Sequence, residues 1–140
     1  MFFDEDMLLD LRLNIMDKYV DKFIITEATY MHNGVKKKLN FDINKFKKFK
    51  DKITYIVVDE PPSELLNIYE KDNKEKVESK KIWNAYKREI YQIEKTKEGT
   101  LDANSEDIII VSDLDEIPNL ENLNFNTIKE KLVFFKQKMY

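Results

Sequence analysis

The residues best suited to chemistry are Asp113-Leu114-Asp115, which close the apolar run Ile108-Ile109-Ile110-Val111. Two carboxylates one residue apart on a tight, extended turn can converge on a single divalent cation. Ligation by oxygen alone points to magnesium, manganese or calcium, and the pair suits manganese or magnesium. Such an ion can bridge the two phosphates of a nucleoside-diphosphate sugar and stabilise the charge that develops on the leaving diphosphate. The bland alternative is a solvated turn that follows a strand. Glu27 and Asp59 stand in the same relation to two other apolar runs, Phe23–Thr26 and Ile53–Val58. Ligands of open α/β sheets bind beyond the carboxyl ends of the strands, so Glu27, Asp59 and Asp113 are expected together on one sheet edge.

An apolar strand followed by Asp-x-Asp also suits a phosphotransferase of the haloacid-dehalogenase type, whose first Asp is a nucleophile. That pattern wants Thr or Val where Ile117 stands, and a lysine and further acids on later strands. Too little chain follows Asp113 to supply them.

The elements that must position these residues follow from periodicity. Asp4–Val20 predicts a helix with Leu8, Leu11, Ile15 and Tyr19 on its apolar face. Phe23–Thr26 and Ile53–Val58 predict buried strands, the second stopped by Asp59-Glu60-Pro61-Pro62. Asn33-Gly34 marks a turn, and Asn44–Lys52 a short basic helix edged by Phe46 and Phe49. Ser63–Lys80 reads as a charged surface loop or weak helix, and Lys81–Lys95 as a helix packed on the sheet through Ile82, Tyr86, Ile90 and Ile93. Ile108–Val111 is the strongest strand candidate; a short helix over Ile128–Leu132 and a last strand over Leu132–Tyr140 complete the pattern. Continuously apolar strands alternating with helices imply an α/β domain around a mostly parallel sheet.

Composition narrows the classes. The 140 residues suit one domain, with 24 Lys+Arg against 27 Asp+Glu and a net charge of −3. That balance argues against a nucleic-acid binder. No cysteine and one histidine, His32, exclude thiolate and histidine-rich metal sites. Two glycines exclude a glycine-rich phosphate loop. No apolar run approaches the roughly 18 residues of a membrane span, and the acidic start does not resemble a signal peptide. A soluble, cytoplasmic chain is the expectation.

Four blocks resemble glycosyltransferase family 17, the family of β-1,4-mannosyl-glycoprotein 4-β-N-acetylglucosaminyltransferase. They are Phe3-Asp4-Glu5-Asp6-Met7-Leu8-Leu9-Asp10-Leu11-Arg12-Leu13-Asn14, then Val20–Ala28 with His32, Gly34, Lys37, Leu39 and Phe41, then Trp83 with Arg88-Glu89 and Gln92, and finally Asp107–Pro118 with its core Ser112-Asp113-Leu114-Asp115-Glu116-Ile117-Pro118. Lys36 and Lys38 replace two prolines of the family pattern, and Ile93 replaces an arginine. The match covers the family's N-terminal half.

The resemblance implies a GT-A-like fold over residues 1–140 as a single, partial nucleotide-sugar-binding domain. It implies an inverting transferase that uses UDP-N-acetylglucosamine, a glycan or glycoprotein acceptor, and manganese or magnesium on Asp113 and Asp115. Ser112, Glu116, Arg12, Glu27, Arg88 and Glu89 join those aspartates as donor-site candidates. Glu116 either positions the donor sugar, as a weak catalytic candidate, or caps the turn. Arg12 either reaches a phosphate or pairs with a buried acid, for which Glu27 is the natural partner. Trp83 is expected in the core, His32 in a loop, and Lys36–Lys38 and Lys45–Lys52 on solvated faces. The catalytic base is expected outside this chain or late in it. The competing reading is a non-catalytic or split-enzyme remnant that binds nucleotide sugar or a partner.

Overall fold

The computed structural model describes residues 1–136. Strands β1 (Phe23–Ala28) and β2 (Ile53–Val58) pair in parallel, from Phe23 opposite Ile53 to Ala28 opposite Val58. Both are rich in β-branched and aromatic residues, which suit a half-buried pleated surface. The crossover between them carries a small hairpin, in which Tyr30 bridges Lys36 around the Asn33-Gly34 turn, and the segment Ile43–Lys52. Gly34 has φ of 89°, a left-handed conformation that favours glycine. Ile43–Lys52 is a 3-10 helix with a kink at Phe46, and it buries Phe46 and Phe49 as the sequence predicts.

Helix α1 spans Asp6–Met16, shorter than the Asp4–Val20 expected. The Glu5 carboxylate accepts from the Phe3 and Asp4 amides at 3.0 and 3.1 Å, so the chain is still turning before Asp6. At the far end Lys52 Nζ donates to the carbonyls of Asp17 and Val20 at 2.7 and 2.9 Å. The buried face also differs. Leu9, Leu13 and Met16 enter the core, whereas Leu11 and Ile15 are 51% and 42% exposed. Two apolar stripes run along this helix, and tertiary packing selects the one that meets Phe2, Phe23, Ile25, Phe46, Phe49 and Leu120.

Helix α2 spans Lys74–Lys95, starting well before the expected Lys81. Asn73 caps it by accepting from the Lys76 amide at 2.9 Å. Just ahead of the cap, Asp72 accepts from Lys80 and the Tyr69 amide, and Lys76 lies close by. Those contacts, led by Lys80, hold its carboxyl down at about 2. The expected apolar face of α2 is not buried: Ile82 is 69% and Tyr86 51% exposed. Asn84 and Gln92 are the buried positions instead. Asn84 accepts from the Leu66 amide and donates to its carbonyl, so the helix docks on the 63–69 loop through an amide. Trp83 likewise lies outside the core, edge-on to Tyr86 at 5.9 Å.

The largest departure concerns Ile108–Val111, which forms no strand. Among the described residues the sheet has two strands. A gap of about 630 Å³ lies between this run and Phe23–Thr26 of β1, where the Phe2 amide already donates to the Thr26 carbonyl at 2.9 Å. Without a ladder partner the run has nowhere to place its backbone donors and acceptors except solvent. Ile108, Ile109 and Val111 are accordingly exposed, and Ile110 alone packs against the core. Ile128–Leu132 is not helical. Of the strand expected over Leu132–Tyr140, residues 132–136 are not in a strand and the rest lies outside the described residues. Among the described residues, no helix is long and apolar enough to cross a membrane.

The choice of stripe on α1 is testable. Leu13→Ala should cost about 2–5 kcal/mol by urea unfolding, and Leu11→Ala no more than about 0.5 kcal/mol. Equal losses at the two positions would contradict the observed packing.

Candidate functional site

The turn that carries Asp113 and Asp115 is built on itself first. The Glu116 amide donates to the Asp113 carbonyl at 3.1 Å and the Ile117 amide to the Asp115 carbonyl at 3.2 Å. The Glu116 carboxylate folds back to accept from the Asp113 amide at 3.2 Å. Glu116 therefore caps the turn. Leu114 and Ile117 pack against the core, and Pro118 and Leu120 are buried, which ties the turn to the body of the protein.

Arg12 reaches this turn from α1. Its Nη1 donates to the carbonyls of Asp113, Glu116 and Leu114 at 2.7, 3.0 and 3.3 Å, and its Nη2 donates to Ser112 Oγ at 2.6 Å. Burial lowers the Arg12 pKa from its ordinary value, and the nearby Glu116, Asp113 and Asp115 carboxylates oppose that. A guanidinium stays charged under such a contest. The expected pairing of Arg12 with Glu27 does not occur.

Asp113, Leu114 and Asp115 line a cleft of about 810 Å³. Phe2, Phe3, Leu8, Tyr30 and Met31 supply apolar wall, and Glu5, His32, Asn33, Lys37 and Gln92 supply polar groups. His32 sits in the hairpin turn, as expected of a loop residue. Arg88 supports that turn from α2: its Nη1 donates to the His32 carbonyl at 2.9 Å, and a Cβ added at Gly34 would fall 2.7 Å from Nη2. Neither Arg88 nor Glu89 is among the residues that line the cleft, and Ser112 faces Arg12 rather than the cleft. The eight donor-site candidates thus separate. Asp113 and Asp115 face the cleft; Ser112, Glu116 and Arg12 form the scaffold behind them; Glu27, Arg88 and Glu89 lie elsewhere.

Glu27 stands inside β1, not at its end, and is fully buried. Its carboxylate accepts from Lys37 Nζ, from the Asn40 and Phe41 amides at 2.8 and 3.0 Å, and from the Tyr55 hydroxyl at 2.8 Å. Burial alone would push this carboxyl up, but the four donors outweigh it and hold it below its ordinary value. Burial and the adjacent carboxylate push the Tyr55 hydroxyl up. The grouping of Glu27, Asp59 and Asp113 on one edge is corrected accordingly: Glu27 is internal, and Asp59 accepts from Thr29 Oγ at 2.9 Å away from the cleft.

Lys37 was missed as a structural residue because it sits in a lysine run. The cue was present in the Asn33-Gly34 turn, since a hairpin sends Lys37 to the face opposite Lys36 and Lys38.

Among the described residues, no group of three or more His, Cys, Asp or Glu side chains could hold a metal. Two carboxylates fit magnesium or manganese, which keep waters or substrate phosphates as their other ligands.

A family model described as Glycosyltransferase family 17 matches residues 1–131. No curated protein and no solved structure matches the chain.

Removal of the Glu27 charge strands Lys37, whose side chain is only 7% exposed. Glu27→Gln should cost about 3–5 kcal/mol in denaturant unfolding at neutral pH. The folded pKa lies below the unfolded one, so the wild-type advantage is complete above the unfolded value and fades as pH falls through the folded value. The gap between wild type and variant should therefore narrow on acidification. A gap that is constant with pH would contradict this assignment.

Proposed function

The chain belongs to glycosyltransferase family 17, and from that premise we propose that it transfers a sugar from a nucleoside-diphosphate donor to a glycan hydroxyl, with Asp113 and Asp115 holding manganese or magnesium at the diphosphate. UDP-N-acetylglucosamine is the donor that the resemblance favours, with inversion at the anomeric carbon. The observation that supports this reading is the pair of aspartates on one wall of a cleft of about 810 Å³, with an arginine drawn to the opposite side of their turn. A GT-A-like fold is part of the proposal. The parallel β1–β2 pair flanked by helices is consistent with it.

A cation at the two aspartates supplies Lewis-acid stabilisation of the charge that builds on the departing diphosphate. Asp113 and Asp115 would hold that cation, and through it the diphosphate would be oriented. Phe2, Phe3 and Tyr30 offer apolar surface to the rest of the donor, and His32 and Asn33 offer hydrogen bonds. The acceptor hydroxyl attacks the anomeric carbon as the bond to the diphosphate breaks, and its proton passes to a general base.

The exposed Ile108, Ile109 and Val111 and the exposed stripe Ile82, Trp83, Tyr86 on α2 favour a second reading. In it this chain binds donor and completes its active site with another polypeptide. UDP release by the isolated chain in the presence of glycan acceptor separates the two.

Calorimetric titration with UDP-sugars should show manganese-dependent binding, weakened more than tenfold in both Asp113→Ala and Asp115→Ala. Absence of manganese-dependent binding for any UDP-sugar would refute the transferase assignment.

A further inference from the structure

We propose that Arg12 is the positioning residue of the metal-binding turn, drawing three backbone carbonyls inward so that the Asp113 and Asp115 side chains are left facing the cleft. The metal part of this statement rests on the reading given above; the backbone part does not. Its basis is the convergence of the Asp113, Leu114 and Glu116 carbonyls and the Ser112 hydroxyl on one guanidinium, at 2.6 to 3.3 Å. Carbonyl oxygens that point at a common centre repel one another, so this arrangement needs a cation or several donors at that centre. Arg12 supplies both. The helix that carries it is fixed, since Leu9 and Leu13 of α1 are buried in the core.

Geometry and charge can be told apart. A guanidinium presents five N–H groups in a rigid planar fork, whereas an ammonium presents three on one atom. Lysine at position 12 would keep the positive charge behind the two aspartates but could not span Ser112 and the three carbonyls together. The turn would stay attached, since Leu114 and Ile117 still pack and Glu116 still caps the Asp113 amide. What is lost is the rotation of the peptide planes that sets the direction of the aspartates.

Arg12→Lys and Arg12→Ala should therefore fold. Hydrogen exchange on the ligand-free proteins is expected to quicken at the amides of Glu116 and Ile117, with the amides of β1 unchanged. Manganese affinity in the presence of UDP is expected to fall about 10- to 100-fold in both variants, the range for a residue that orients metal ligands. Wild-type exchange at those amides in Arg12→Ala would overturn the proposal. Wild-type exchange and affinity in Arg12→Lys would overturn the geometric argument in favour of charge alone. If the wild-type protein binds no manganese with UDP, the transferase reading fails, and the exchange comparison still decides whether Arg12 orders the turn.

Discussion

One guanidinium gathers the backbone of the candidate site, on a turn that Leu114 and Ile117 anchor to the body of the protein. The segment that leads to Asp113 does not enter the sheet, so it lacks the ladder of backbone hydrogen bonds that would ordinarily set the direction of a turn at a strand end. Arg12 takes over that task from the middle of α1. The substitution has a physical consequence. A ladder distributes its hold over many residues, whereas here four hydrogen bonds meet on one side chain. The orientation of two aspartates depends on a residue 101 positions before the first of them.

The opposite wall of the cleft depends on a buried ion pair. Glu27 gathers Lys37, Asn40, Phe41 and Tyr55, which fixes the hairpin and the chain that follows it onto the sheet. A buried carboxylate is costly unless its lone pairs are used; here Lys37, Asn40 and Phe41 bring one crossover to it and Tyr55 brings β2. Phe41 extends the same cluster by stacking on Tyr55 at 4.5 Å and Phe46 at 5.6 Å. Arg88 then supports the hairpin turn from α2. Both walls are thus held by side chains whose charge faces the interior.

The sequence was most legible where a short apolar run had one plausible partner. β1, β2 and the inward pair Phe46 and Phe49 follow directly from residue type and bounding turn residues. It was least legible where apolar residues offered more than one face. On α1, Leu8, Leu11 and Ile15 compete with Leu9, Leu13 and Met16, and only the shape of the core decides. On α2 the periodic stripe of Ile82, Tyr86 and Ile90 points outward while Asn84 and Gln92 are covered, a choice that hydrophobicity alone would never make. Ile108–Val111 shows a third limit, because strand propensity is realised only when a neighbouring edge is within reach. At the site, the spacing of Asp113 and Asp115 marks the turn, but the strand expected to carry it does not form. The roles of Glu27, Lys37 and Ser112 were not readable, since each depends on a partner distant in sequence.

The central claim concerns where an ion sits, and paramagnetic broadening reports that directly. Manganese titrated into the isotopically labelled protein with UDP should bleach the amide signals of residues 112–116 and, across the cleft, those of His32 and Asn33, and it should spare the Ile82–Tyr86 face of α2. Broadening centred elsewhere, or spread evenly over the acidic surface, would contradict the account.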